Sequence, residues 1–292
     1  MGDVSAPLSC RRVAYLGPPG TFTEEALLSW PGLEYEAVLP FPTVEEALLA
    51  VQDNVADRAV VPIENSLEGS VNATLDCLAF EVELFIQAEK VRQVRHCLLA
   101  RPGVGLEEVR RVVSHPQAAA QCRRHLLELL PGVEVEAANS TSEAARRVAE
   151  SEHPLAALGS ALAAELYGLE VLREGMEDHA ENRTRFVLVG REKMPPTGKD
   201  KTSMVCFIHQ DRPGMLLQIL QEFAYRYINL TKIESRPTKK ILGEYCFFID
   251  CEGHEEDEVV ASALKCLRCK LPQVKMLGSY PVYREEDEDA GS

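Results

Sequence analysis

"GREKMPPTGKD", residues 190–200, sets two prolines, two glycines and mixed charges between two apolar runs, and such punctuation breaks a chain. The two sides differ in rhythm. Upstream, "RRVAYLG" precedes "TEEALLSW", "DRAVVPIEN" precedes "SVNATLDCLAF", and "VRRVVSH" precedes "PQAAAQCRRHLLELL". "VEVEAANS" then precedes "TSEAARRVAESE", and "PLAALGS" precedes "ALAAELYG". This alternation of strand-like and helix-like stretches predicts an α/β domain with largely parallel sheets. Downstream, "KTSMVCFIH", "PGMLLQILQEFAYRY", "NLTKIESRP", "GEYCFFIDCEG", "EEDEVVASALKCLRC" and "QVKMLGSYPV" read strand, helix, strand, strand, helix, strand. That is the ferredoxin-like βαββαβ order. The expected division is a first domain at 1–190, a linker at 191–200, a second domain at 201–283 and an acidic disordered tail at 284–292.

Composition narrows the function classes. The chain of 292 residues is 46% hydrophobic and 26% charged, ordinary for a globular protein, with a net charge of −15. That charge argues against nucleic-acid binding. A small anionic ligand would need positive charge concentrated in a pocket. No stretch is long enough to span a membrane, and "MGDVSAPLSC" has no apolar leader core, so a cytoplasmic location is expected. Nine cysteines without framework spacing fit a reducing compartment. Cys266 and Cys269 have CxxC spacing but no second pair, and the seven histidines lack ligand spacing. No metal and no cofactor is expected.

Unusual polar residues gather at strand-to-helix junctions, where open α/β sheets bind ligands. In "GPPGTFTEEA", Thr21 and Glu24 have capping-box spacing, while Gly17 and Gly20 leave open a ligand-approach loop or plain turn chemistry. In "PIENSLEGSVNAT", Glu64, Asn65 and Ser66 read either as ligand groups or as an Asx-turn before a helix cap. In "SHPQAAAQC", Pro116 suits the first helical position, so Ser114 or His115 is the cap. Gln117 and Gln121 share a face there. "NSTSEA", with Ser140 and Glu143, and "ALGSA" read mainly as structure. "ENRTRFVLVG", residues 181–190, crowds Arg183, Thr184 and Arg185 at a strand entrance. On its own that trio reads more readily as a solvated strand edge than as a site.

In this order, "GPPGTFTEEA", "PIENSLEGSVNATLD", "SHPQAAAQC", "NSTSEAA" and "ENRTRFVLV" resemble the prephenate dehydratases. "DRPGMLLQIL" and "KIESRP" resemble the ACT regulatory domain that follows them. The likeness covers roughly residues 11–283. It implies a catalytic fold of the two-lobed periplasmic-binding-protein class (type II) with its site in the cleft. The implied reaction is loss of water and carbon dioxide from prephenate, giving phenylpyruvate for phenylalanine biosynthesis, by a carbon–oxygen lyase. Thr184 would be the catalytic residue, and Thr21, Glu64, Asn65, Ser114, Gln121, Arg185 and Phe186 would bind substrate. It also implies phenylalanine feedback at Gly214, Met215, Leu216, Asn229, Leu230, Glu234, Ser235 and Arg236, in a homodimer or homotetramer. A helix N-terminus would hold the effector carboxylate and Glu234 its amino group. Relatives commonly have Gly-Ala-Leu where this chain has Gly214-Met215-Leu216, and the bulkier methionine is expected to narrow that pocket. Two readings compete: an enzyme preferring arogenate, and a non-catalytic amino-acid-binding protein.

The reaction supplies its own expectation for these residues. Aromatisation drives it, so the catalyst has to help a hydroxide depart, and Thr184 is expected to donate a hydrogen bond to it. An arginine beside the departing carboxylate would hold the ground state back. Arg185 or Arg183 is therefore expected on the pyruvyl carboxylate, with neutral Asn65, Ser114 or Gln121 on the ring carboxylate.

Overall fold

A computed structural model describes residues 8–208, 213–239 and 244–284. Asp211, Arg212 and the acidic run from Glu285 lie outside the described residues. The first lobe is a mixed sheet in the order β2 (Ala37–Phe41), β1 (Arg12–Leu16), β3 (Arg58–Asn65), β11 (Arg183–Gly190), β5 (Phe85–Gln93), with the short β4 (Gly69–Ser70) on β3. The second lobe orders β10 (Glu170–Arg173), β6 (Cys97–Ala100), β9 (Leu155–Gly159), β7 (Arg111–Ser114), β8 (Glu134–Ala137). The chain crosses between lobes twice, after β5 and before β11. This is the type II periplasmic-binding-protein arrangement.

The expectation of largely parallel sheets is corrected. Within each lobe the locally wound strands pair in parallel. β11, β5, β6 and β10, which flank the crossings, pair antiparallel. A strand arriving from the other lobe enters at the cleft end and must run against its neighbours. The segments 31–56 and 82–105, left without a reading above, supply β2, α2 (Val44–Gln52), β5 and β6.

Helices cover the sheets where the pattern places them: α1 (Phe22–Leu28), α3 (Asn72–Asp76), α6 (Thr141–Glu150) and α7 (Ala161–Tyr167). The single helix expected over 116–130 is two, α4 (Pro116–Gln121) and α5 (Arg123–Leu129). Asp178 accepts from the backbone N–H of Arg124 and His125, at 3.0 and 3.2 Å, and so caps α5 as a separate start.

The C-terminal part follows βαββαβ as expected: β12 (Asp200–Phe207), α8 (Met215–Ala224), β13 (Leu230–Pro237), β14 (Tyr245–Glu252), α9 (Glu258–Lys270), β15 (Gln273–Pro281). Its sheet, ordered β13-β14-β12-β15, is antiparallel throughout. One face carries Met204 and Ile249 against Ile219 and Leu264 of the two helices. The other sends Val205, Phe248, Leu277 and Tyr280 into one hydrophobic core with Val61, Ile86 and Val187 of the first lobe.

Candidate active site

Helix starts from both lobes converge on a cleft of about 350 Å³. Thr21 caps α1, taking the Glu24 N–H at 3.4 Å, while the Glu24 carboxylate reaches back to Gly20 N–H. Ser140 caps α6 in the same way, with Glu143 reaching Asn139. His115 is the cap of α4, its Nδ1 accepting from Gln117 N–H at 3.3 Å. The Gly20 carbonyl takes a hydrogen bond from Ser160 Oγ at 2.8 Å, and the Pro19 carbonyl takes one from Ser142. The glycine–proline loop therefore joins the first lobe to helix starts of the second.

At the centre of the cleft stands Thr184, only 8% exposed, on β11 opposite Asn65 of β3. The polarity of their contact is fixed. Asn65 Oδ1 accepts from the backbone N–H of Leu67 and Glu68, both at 3.0 Å. Its amide nitrogen therefore faces Thr184 Oγ1 at 2.9 Å and Asn182 Oδ1 at 2.8 Å. Because Thr184 accepts there, its own O–H remains to donate. Asn182 passes the polarity on to Gln121 Oε1 at 3.0 Å, and Gln121 Nε2 faces the Glu68 carboxylate at 3.3 Å. With Gln121 Oε1 so oriented, His96 Nε2, 3.2 Å away, carries the proton. The other ring nitrogen is buried and meets no partner among the described residues. Burial lowers the His96 pKa, with Gln121 and Glu177 opposing it, so the ring is neutral near neutral pH.

Of the expected substrate residues, Thr21, Asn65, Gln121 and Phe186 line the cleft with Thr184. Three do not, and the expectations for them are corrected. Arg185 points to the opposite face of β11, where Glu89, Asp250 and Tyr280 hold it at 2.7, 2.9 and 2.7 Å. Successive strand residues alternate faces, so a cleft-facing Thr184 excludes its neighbour. Glu64 alternates with Asn65 in the same way and meets Arg185 and Lys232 at 3.4 and 3.2 Å. Ser114 is fully buried beneath the cleft, its Oγ donating to the His115 carbonyl at 3.0 Å. Arg183 is exposed and does not line the cleft either. Among the described residues the cleft wall carries no arginine or lysine.

Sequence reasoning missed His96 and Asn182 and gave Gln117 and Ser140 only helix roles, yet all four line the cleft. Asn182 was in plain view inside "ENRTRF". The signal for His96 was a lone imidazole abutting the wholly apolar "CLLA".

In the C-terminal sheet, Gly214 adopts φ 89° and opens α8. Met215 and Leu230 pack against the helix-side core, Leu216 and Ser235 are exposed, and Asn229 donates to Glu252 at 2.9 Å. Glu234 and Arg236, expected at an effector, face the first lobe. Glu234 takes the Ser70 hydroxyl, and Arg236 pairs with Asp76 at 2.7 Å.

Comparison with known proteins now applies. The family model described as prephenate dehydratase matches residues 13–194, and the ACT domain model matches 203–268. The chain belongs to the prephenate dehydratase family. Members of that family are lyases. A prephenate dehydratase of Mycobacterium tuberculosis is 46% identical over 280 residues, covering 92% of this chain and 87% of its own. The prephenate dehydratase of Arthrobacter aurescens, solved in complex with L-Phe, superposes with a TM-score of 0.86 at 42% identity, covering 94% and 91%. A further structure, described as GqqA, a novel type of quorum quenching acylase, superposes at 0.83 with 35% identity, covering 94% and 100%.

Proposed function

We propose that the chain converts prephenate to phenylpyruvate with release of water and carbon dioxide. L-Phenylalanine would regulate it at the ACT sheet. Residues 1–190 would form the catalytic domain, 191–200 its link to the ACT domain at 201–283, and 284–292 a tail. The observation that carries the reading is the polarity of the Asn65–Thr184 bond, which leaves the Thr184 O–H free to donate into the cleft.

Hydroxide is a poor leaving group, and a donor aimed at it acts where charge develops. A threonine is too weak an acid to surrender its proton outright, so it works by a directed hydrogen bond while the net reaction consumes a proton from water. The carboxylates are served without a cation. Thr21, Gln117 and Ser140 bring the starts of α1, α4 and α6 to the cleft, and such starts favour anions. A site without arginine also avoids stabilising the carboxylate that must leave as carbon dioxide. Phe22, Phe186 and Pro62 offer the apolar wall a ring becoming aromatic would use.

The family resemblance extends to a structure described as an acylase. A nucleophilic acylase needs a base on its hydroxyl, and Thr184 meets Asn65, which takes no proton. The dehydratase reading is therefore favoured. A cytoplasmic location fits nine free cysteines and the absence, among the described residues, of a helix long and apolar enough to cross a membrane. Assembly as a dimer or tetramer through the ACT domain fits the exposed Leu217, Tyr225 and Ile233.

The test is turnover of prephenate, without added metal and with or without L-phenylalanine, by wild type, Thr184→Ser and Thr184→Val. Serine keeps the donor and should retain turnover within about tenfold, whereas valine should lose about 10²–10³ in kcat. Wild-type turnover by Thr184→Val would sink the assignment.

A further inference from the structure

Cleft residues and ACT-facing residues alternate along the same two strands. Thr184 pairs across the sheet with Asn65, and the next pair is Arg185 with Glu64. The first pair meets in the cleft. The second meets beneath the ACT sheet, where it enters a closed ring of hydrogen bonds. Arg185 Nη2 donates to Tyr280 Oη at 2.7 Å. The Ser203 hydroxyl lies 2.6 Å from both Tyr280 Oη and Asp250 Oδ1. Asp250 accepts only, so Ser203 donates to it and Tyr280 donates to Ser203. Asp250 Oδ2 then takes Arg185 Nη1 at 2.9 Å, closing the ring. Glu89 of β5 joins Arg185 at 2.7 Å and Lys201 of β12 at 2.8 Å. Glu64 is shared with Lys232 of β13, the strand that also carries Glu234 and Arg236.

We propose that Arg185 is a positioning residue that sets the pose of Thr184 and passes to it any shift of the ACT sheet. The catalytic half of this proposal rests on the dehydratase reading, and the coupling half on L-phenylalanine acting at the ACT sheet. Burial works against the guanidinium charge, but Tyr280, Asp250 and Glu89 outweigh it and keep the group charged. Its planar fork is matched to Asp250 and Tyr280, and its side chain is packed in with 11% exposure, so a shift of those partners bears on its backbone, where Thr184 is the adjacent residue. Glu64, the longest contact at 3.4 Å, is where the balance can change, since Lys232 competes for the same carboxylate. An effector that moves β13 alters the share of Glu64 that Arg185 receives, giving the two arrangements that coupling requires.

The experiment titrates L-phenylalanine into wild type, Tyr280→Phe and Lys232→Met, following hydrogen–deuterium exchange in segments 62–68 and 181–188. Kinetics with prephenate run alongside, with Arg185→Lys added. Wild type should change exchange in both segments on adding L-phenylalanine. Lys232→Met should lose more than about half of that change while basal kcat stays within about twofold. Tyr280→Phe, which removes one partner of the Arg185 fork, should lose it with kcat lowered towards that of Arg185→Lys. Arg185→Lys should lower kcat by about tenfold per folded molecule, the folded fraction being read by circular dichroism, with KM within about threefold. No exchange response in wild type overturns the proposal, as does a full response in both ACT variants or an Arg185→Lys defect confined to KM. Wild type that responds in exchange yet leaves prephenate untouched refutes the dehydratase reading and supports the coupling.

Discussion

His96 is the residue whose chemical state follows most directly from its neighbours. The hydrogen-bond polarity running from the Leu67 and Glu68 amides through Asn65, Asn182 and Gln121 puts its proton on Nε2 and leaves Nδ1 bare. ¹⁵N spectra of the imidazole should report that single tautomer at neutral pH. Burial lowers its folded pKa, so as pH falls the unfolded chain takes up the proton first, near about 6.5. Stability should therefore decline from that point until the folded pKa is passed, and the slope should be shallower in His96→Gln, as read from urea denaturation between about pH 7.5 and 5.5. The place of Thr184 in the cleft, where we propose it acts, was legible only through its motif, since an isolated threonine between arginines reads as a strand edge. The place of Arg185 was misread because two adjacent residues of one motif were assigned to one site, although a strand sends them to opposite faces.

At the scale of elements, capping chemistry was readable and long-range satisfaction was not. Thr21, Ser140 and His115 cap the helices their spacing assigns. The break at Cys122 was invisible because the carboxylate that caps α5 belongs to Asp178, far along the chain. β5 went unread for a related reason. Its Gln87, Glu89 and Lys90 are buried, because the helical side of the first lobe and the ACT sheet cover both faces, and the usual alternation of apolar and polar residues is lost. Asp57 offers a test at this scale. Its carboxylate accepts from the N–H groups of Arg11 and Arg12 at 3.0 and 2.8 Å, clasping the start of β1, and the Arg12 bond leads the causes that lower its pKa. A depressed carboxylate stabilises the fold above its unfolded pKa of about 3.9 and stops doing so as pH falls through the folded value. Asp57→Asn should cost about 1 kcal/mol at neutral pH, with allowance for solvent screening at this partly exposed site. The difference should narrow below about pH 4 in denaturant titrations.

Over the whole molecule, the ACT sheet and the first lobe are built around shared side chains and a close backbone approach. Gly278, at φ 137°, lies so near β5 that a Cβ there would stand 2.9 Å from the Ile86 nitrogen and closer still to its carbonyl oxygen. Gly278→Ala should cost about 3 kcal/mol and weaken the proposed response to L-phenylalanine, measured by calorimetry and by kinetics with the effector present. The βαββαβ half was legible from spacing alone. The seam between the two parts was not, because strands that face an apolar partner on each side look alike whichever partner that is. The position of β11 has a consequence for how the protein is made. It lies between β3 and β5, joining strands that emerge from the ribosome much earlier. The second lobe is one uninterrupted stretch and can fold as soon as it is synthesised. The first must wait, with β5 lacking its central neighbour, until residue 190 is released. Pulse-labelled nascent chains halted once β10, but not β11, has cleared the ribosome exit tunnel should therefore protect the second lobe while leaving the first open to protease. The strand bearing Thr184 is the last piece of its sheet to arrive.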